Sequence, residues 1–138
     1  TSNPGAVDLQ DQIVHGQPLY RHLAMLLAPL VASRDGKQGS SSLGIVAGAT
    51  WPEEAQALRA TLPSAPFLIP GFGAQGAGPE RATSGLIRGQ HGWEGGLVNS
   101  TRGLIFPETA ERADSLATWQ NAIAATIDQN KAILNSVF

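Results

Sequence analysis

Three apolar runs, Leu43 to Gly48, Phe67 to Ile69 and Leu97 to Ser100, are each followed by glycines or hydroxyls and then by residues of helical character. A strand followed by a helix and then another strand cannot close as a tight hairpin. Repetition of that order commits a chain to a parallel sheet. The first run lacks polar alternation, the pattern of a parallel strand covered on both faces. The whole order reads as strand end, helix, strand, helix, strand, short helix, strand, long helix. In such α/β folds the site forms at the C-terminal ends of the strands. Polar and glycine residues gather at those places here: Ser2-Asn3, Ala49-Thr50, Gly71 to Gly78 and Thr101-Arg102. Four such units fit one half of an eight-fold barrel, or a small open sheet.

Local signals set the expected elements. Thr1 to Gly5 reads as a strand end running into a Pro-Gly turn, with its beginning elsewhere, so the chain is expected to be part of a longer one. Asp8 to Gln17 is polar, with a turn at His15-Gly16. Pro18 suits the first turn of a helix that runs from Leu19 to about Ala32, with Leu23, Leu26, Leu27, Leu30 and Val31 at helical spacing. Ser33 to Ser42 is an exposed loop. Thr50 and Glu53 match a capping box. The helix that follows, from about Pro52 to Leu62, puts Ala55, Leu58 and Leu62 on one side and stops at Pro63. A short helix is expected from Pro79 to Ser84, and an irregular connection from Gly85 to Gly95. Glu108 to Phe138 is expected to be mostly helix, burying Leu116, Ile123, Ile127, Ile133, Leu134 and Val137.

Composition narrows the function. The 138 residues fit one domain, and 42% hydrophobic against 14% charged residues is enough for a core. A formal net charge of −2 and no basic run interleaved with aromatics argue against a nucleic-acid partner. No apolar run is long enough to cross a bilayer, and no signal peptide is visible, so no membrane partner is expected. The absence of cysteine removes thiolate chemistry and fits a reducing cytoplasm. His15, His22 and His91 are scattered, so no metal site is expected.

The glycine-rich stretch Pro70-Gly71-Phe72-Gly73-Ala74-Gln75-Gly76 can turn sharply and direct backbone N–H groups at one point. The later strand ends in Asn99, Ser100, Thr101 and Arg102. Amides beside a guanidinium suit a phosphate, and the two strand ends are expected to grip the same one. Gly71 to Gly76 also fits the G-x-G-x-x-G dinucleotide pattern. There the glycine turn must open directly into a helix, whereas Gly76-Ala77-Gly78-Pro79 delays it, and no acid ends the next strand. No Lys-Ser/Thr follows, as a Walker loop requires. Lys37 lies in the exposed loop and Lys131 in the last helix. No Asp or Glu sits at a strand end. By its own residues the chain can bind but is poorly equipped to move protons.

The runs Gly48-Ala49-Thr50-Trp51-Pro52-Glu53-Glu54, Pro70 to Gly76 and Asn99-Ser100-Thr101-Arg102-Gly103 resemble the orotidine 5'-phosphate decarboxylase family, in its longer bacterial type. Thr1 to Gly5 resembles the end of that family's fifth strand. The resemblance covers nearly the whole chain with order and spacing kept. It implies that residues 1–138 are the C-terminal half of a (β/α)8 TIM barrel, from the end of strand five through helix eight.

The family converts orotidine 5'-monophosphate to uridine 5'-monophosphate, in pyrimidine biosynthesis, without a cofactor. By resemblance, Arg102 and the loop holding Gly73 and Gln75 would grip the 5'-phosphate, with amides around Thr101 and Arg102 adding contacts. Ser2 would bond the pyrimidine edge, and Pro70 would line the pocket near the base. The family's Asp-Lys-Asp-Lys network belongs to the N-terminal half and has no counterpart here, so no catalytic residue is expected in this chain. The expected partners are that N-terminal half and a second subunit in a homodimer, in the cytoplasm. Another phosphate-binding barrel and a non-catalytic nucleotide-binding half barrel are the alternatives.

Overall fold

The computed structural model describes residue 5, residues 7–73 and residues 76–138. The expected strand end at Thr1 to Pro4 lies outside the described residues. A short helix α1 (Val7–Gln10) leads into a hairpin of β1 (Ile13–Val14) and β2 (Gln17–Pro18). The turn falls at His15 and Gly16 as expected, with φ of 51° and 82°. A two-residue hairpin turn needs positive φ, and this one twists with its strands. Helix α2 (Leu19–Ala32) follows, then β3 (Ile45–Val46) and α3 (Pro52–Thr61).

The capping box at the start of α3 does not form. The helix begins at Pro52 as expected, but its N-cap falls one residue later, at Trp51, with no side-chain cap and Pro52 inside the first turn. Glu53 is thereby one position short of where it could reach back. Ser115 and Thr118 make such a box instead, at the start of the last helix.

Beyond α3 come β4 (Phe67–Pro70), α4 (Pro79–Thr83), β5 (Ile87–Gly89), β6 (Gly92–Glu94) and β7 (Gly96–Asn99). Three short-to-long helices close the chain: α5 (Thr101–Ile105), α6 (Glu108–Glu111) and α7 (Leu116–Asn135). The stretch from Gly85 to Gly95, expected to be irregular, is a hairpin pairing Ile87 with Glu94 and Gly89 with Gly92. It holds the end of α7. Trp93 Nε1–H donates to the Leu134 carbonyl (3.0 Å), Arg88 donates to the Val137 carbonyl (3.2 Å), and Trp93 meets the Phe138 ring edge-on.

The parallel sheet has the order β3-β4-β7. Ile45 pairs with Phe67 and Val46 with Leu68; Phe67 to Pro70 pair in turn with Gly96 to Asn99. Alternation sends Phe67 and Ile69 to the helical side, where each is only 1% exposed. Val31, Leu62 and a set of alanines complete that core. The opposite face is bare. Val46, Leu68 and Leu97 form one cross-strand row, 63%, 42% and 74% exposed. The expectation that the Leu43–Gly48 strand is covered on both faces is therefore corrected, since Val46 is exposed. The helices pack on one side, and no described element covers the other.

The helices show the same one-sidedness. In α2 the small residues Ala24 and Ala28 and the branched Val31 approach the core, while Leu23, Leu26 and Leu30 stay largely exposed. In α7 no residue is fully buried. Ile123 and Leu134, and Val137 just beyond the helix, are half-buried, and Leu116, Ile127 and Ile133 are exposed. Its periodic stripe is legible, but among the described residues it packs mainly on the short helices α4, α5 and α6, with the hairpin holding only its last turn.

Sheet pairing depends on one close approach. A Cβ on Gly96 would lie 2.5 Å from the Phe67 carbonyl oxygen, inside the β4–β7 seam. Gly96→Ala should destabilise the isolated chain by about 1–3 kcal/mol, because a backbone atom cannot rotate away. Its neighbour Leu97→Ala, on the bare face, should cost under about 0.5 kcal/mol. Urea denaturation of both variants checks this; equal losses would mean that the bare face is covered.

Candidate functional site

Because β4 and β7 are adjacent and parallel, they end side by side, with Pro70 opposite Asn99. The chain leaves β4 through glycines in the left-handed region: Gly71 at φ 108°, Gly73 at 75° and Gly76 at 81°. An L side chain is strained there. The loop closes on itself. Gly73 N–H donates to the Ala77 carbonyl (3.2 Å) and Gly76 N–H to the Gly73 carbonyl (2.8 Å). These two amides shape the turn and are not aimed outward. Gln75, expected to contact phosphate, lies outside the described residues, as does Ser2.

Across from the loop, β7 runs straight into α5, a helix the sequence reading did not anticipate. Its first bond is Leu104 N–H to the Ser100 carbonyl at 3.2 Å. The amides of Thr101, Arg102 and Gly103 precede it, and the first amides of any helix lack intrahelical acceptors. The free donors expected of the glycine turn are thus supplied mainly by the next strand's helix. Thr101 Oγ1 donates to Asn99 Oδ1 (3.3 Å).

Ser100 ties the two halves together. It is 8% exposed, and its Oγ–H donates to the Phe72 carbonyl at 3.3 Å, from the end of one strand to the loop of the other. A Cβ on Gly103 would lie 2.9 Å from that oxygen, so the first turn of α5 is packed against it. The sequence reading noted Ser100 only as a polar residue. A hydroxyl where a core strand would continue apolar was the available signal.

Pro70, Gly71, Phe72, Asn99, Ser100, Thr101 and Arg102 line one cleft of about 80 Å³. Of the sequence-expected residues, the structure brings Pro70, Thr101 and Arg102 together there. Gly73 is adjacent, with a Cβ position 3.7 Å from Ser100 Oγ. Arg102 is exposed and forms no ion pair among the described residues. A guanidinium beside unspent amides can receive a phosphoryl group through charge-assisted bonds.

A larger cleft of about 200 Å³ lies between α1, α2, α3 and β3, lined by leucines with Tyr20, Trp51 and Glu54. Burial pushes the Glu54 carboxyl and the Tyr20 phenol above their usual ranges. Among the described residues its lining includes no Lys or Arg for an anionic ligand. Among the described residues no cluster of three or more His, Cys, Asp or Glu side chains could hold a metal ion, and no helix is long and apolar enough to cross a membrane.

No family model matches the chain. Curated relatives do. The chain is 42% identical over 139 residues to an orotidine 5'-phosphate decarboxylase of Halorubrum lacusprofundi, covering 98% of this chain and 48% of the relative. It is 37% identical over 137 residues to that of Rhodopirellula baltica, covering 96% of this chain and 44% of the relative. Among solved structures, Leishmania donovani OMP decarboxylase superposes with a TM-score of 0.57 at 29% identity, over 91% of this chain and 44% of that one. The chain spans about half the length of the curated relatives it matches. A parallel α/β sheet with one bare face and no closed barrel is what half of a barrel looks like. In sequence and in fold, this chain belongs with the orotidine 5'-phosphate decarboxylase family, of whose members it matches about one half.

Proposed function

We propose that residues 1–138 form the C-terminal half of a single decarboxylase domain that converts orotidine 5'-monophosphate to uridine 5'-monophosphate. In this reading the cleft between β4 and β7 seats the 5'-phosphate. Arg102 carries its charge, and the first amides of α5, around Thr101, supply further donors. Gly73 lets the loop after β4 close over the phosphate, and Gln75 on that loop reaches it. Pro70 lines the pocket toward the base, and Ser2 bonds the pyrimidine edge. The observation that carries the reading is the shared cleft: residues some thirty positions apart in sequence converge because β4 and β7 are neighbours.

The chemistry needs a complementary half. The bond between the pyrimidine ring and its carboxylate breaks, carbon dioxide leaves, and a proton must reach the carbanion. No described residue at the cleft can give that proton; a lysine from the N-terminal half does so. This chain contributes binding. A phosphate held away from the reacting carbon supplies binding energy that is realised at the transition state, so its loss lowers turnover as well as affinity. The bare row Val46–Leu68–Leu97 supports the same division, since an apolar sheet face of this kind calls for a covering layer. The intact protein acts in the cytoplasm as a homodimer.

Two outcomes test the proposal. In the protein joined to its complementary half, Arg102→Ala should raise the Michaelis constant for orotidylate, lower turnover, and reduce kcat/KM about 10- to 100-fold, the worth of charged hydrogen bonds. Unchanged kinetics would remove Arg102 from the site. The isolated chain should bind uridine monophosphate in a calorimetric titration yet release no carbon dioxide from orotidylate; supplying the complementary half should restore release. Turnover of a different phosphorylated substrate, with none of orotidylate, would point to another phosphate-binding barrel.

A further inference from the structure

Arg59, in the last turn of α3, lies at the opposite end of the strands from the cleft. Its Nε–H donates to the Gly85 carbonyl (2.9 Å). Nη1 donates to the carbonyls of Leu62 (3.2 Å), Pro63 (3.0 Å) and Ala65 (2.7 Å), and Nη2 to that of Gly95 (2.7 Å). The guanidinium carbon sits 3.7 Å from the centroid of the Phe67 ring, stacked over its face. Arg59 has no carboxylate partner among the described residues. Burial pushes its pKa down, and carbonyl dipoles together with the face of the Phe67 ring offset the lost hydration.

Those acceptors are not scattered. Leu62, Pro63 and Ala65 lead into β4, Gly85 follows α4, and Gly95 immediately precedes β7. The Gly95 carbonyl is also the acceptor for Phe67 N–H at 2.9 Å, the first rung between β4 and β7. Arg59 and the first rung therefore share one oxygen. Gly95 stands at φ 81°, and a Cβ there would lie 3.2 Å from Nη2. A Cβ on Gly85 would lie 3.0 Å from the Phe67 ring. Gly95 lets backbone approach the guanidinium, and Gly85 lets it approach the ring beneath.

We propose that Arg59 is a positioning residue for the nucleotide cleft: by fixing where β7 begins beside β4, it sets the register that brings Pro70 opposite Asn99. The idea rests on the reading of that cleft given under Proposed function. A strand that slips by one residue turns every side chain to the other face, so Asn99 and the start of α5 would be misplaced together. Lysine cannot substitute. It carries a point charge on a flexible stem and has no planar fork to span three segments while stacked on a ring.

The test compares Arg59→Lys with Val31→Ala, a core truncation on α2 away from the β4–β7 seam. Amide hydrogen exchange and uridine monophosphate titration are read for both. In Arg59→Lys, protection of Phe67 and the other β4–β7 amides should fall about 10-fold or more, while Ala47 and Ala49, which pair β3 with β4, change less than about 3-fold. Uridine monophosphate affinity should fall about 10-fold. Val31→Ala should lower both sets of amides together and leave affinity unchanged. Gly95→Ala, which perturbs the shared carbonyl from the other side, should reproduce the Arg59→Lys pattern and serves if that variant does not fold. Equal loss at both seams, or full affinity despite a loosened β4–β7 seam, overturns the proposal. If the unaltered chain binds no uridine monophosphate, the reading of the cleft fails, and the exchange pattern alone decides whether Arg59 sets the register.

Discussion

The pairing of β4 with β7 is the constraint on which the rest of this molecule depends. It joins two strands separated in sequence by a helix and a hairpin, and it does so in one register, Phe67 to Pro70 against Gly96 to Asn99. The helical face of that seam carries Phe67 and Ile69, two of the largest fully buried side chains among the described residues. Its far end carries the cleft. Gly96 permits the seam sterically, and the Phe67 N–H bond to Gly95 begins it. Backbone hydrogen bonds contribute little net energy singly, but a buried one left unmade is costly, so the register is strongly specified.

Two arginines divide the electrostatic work along this seam. At one end, Arg59 directs its donors at backbone carbonyls and lays its flat face on an aromatic ring. All of its described hydrogen bonds go to backbone. At the other end, Arg102 forms no ion pair among the described residues and borders a cleft next to the first amides of a helix. One guanidinium serves geometry and the other serves recognition. The difference lies in surroundings, not in residue type.

Much of this was legible in the sequence because local signals and tertiary demands agreed. The Leu19–Ala32 helix, the strand at Phe67, the stop at Pro63 and the turn at His15-Gly16 stand where spacing, proline and glycine put them. The convergence of Pro70, Thr101 and Arg102 was expected from the parallel-sheet order, the pairing of amides with a guanidinium and the family resemblance together. What escaped was decided by neighbours. The α3 cap moved because Pro52 takes the first helical position. The hairpin around Gln90-His91 carries Gly89 and Gly92, which obscure its strands, and its partner is a helix end about forty residues away. Full burial along α7 and two-sided cover of the Leu43–Gly48 strand failed as expectations because an apolar pattern reports which side is apolar, not whether anything covers it. Arg59 gave no sequence signal at all, since its partners are carbonyls, which every residue has.

The alternation that leaves Val46, Leu68 and Leu97 in one row also separates them from the packed interior. Threonine or lysine at those three positions would meet water rather than the helices, leaving Phe67, Ile69 and Val31 undisturbed. A soluble stand-alone version could be recoded there with very few changes. The same changes would forfeit any lid of apolar strands laid across that surface.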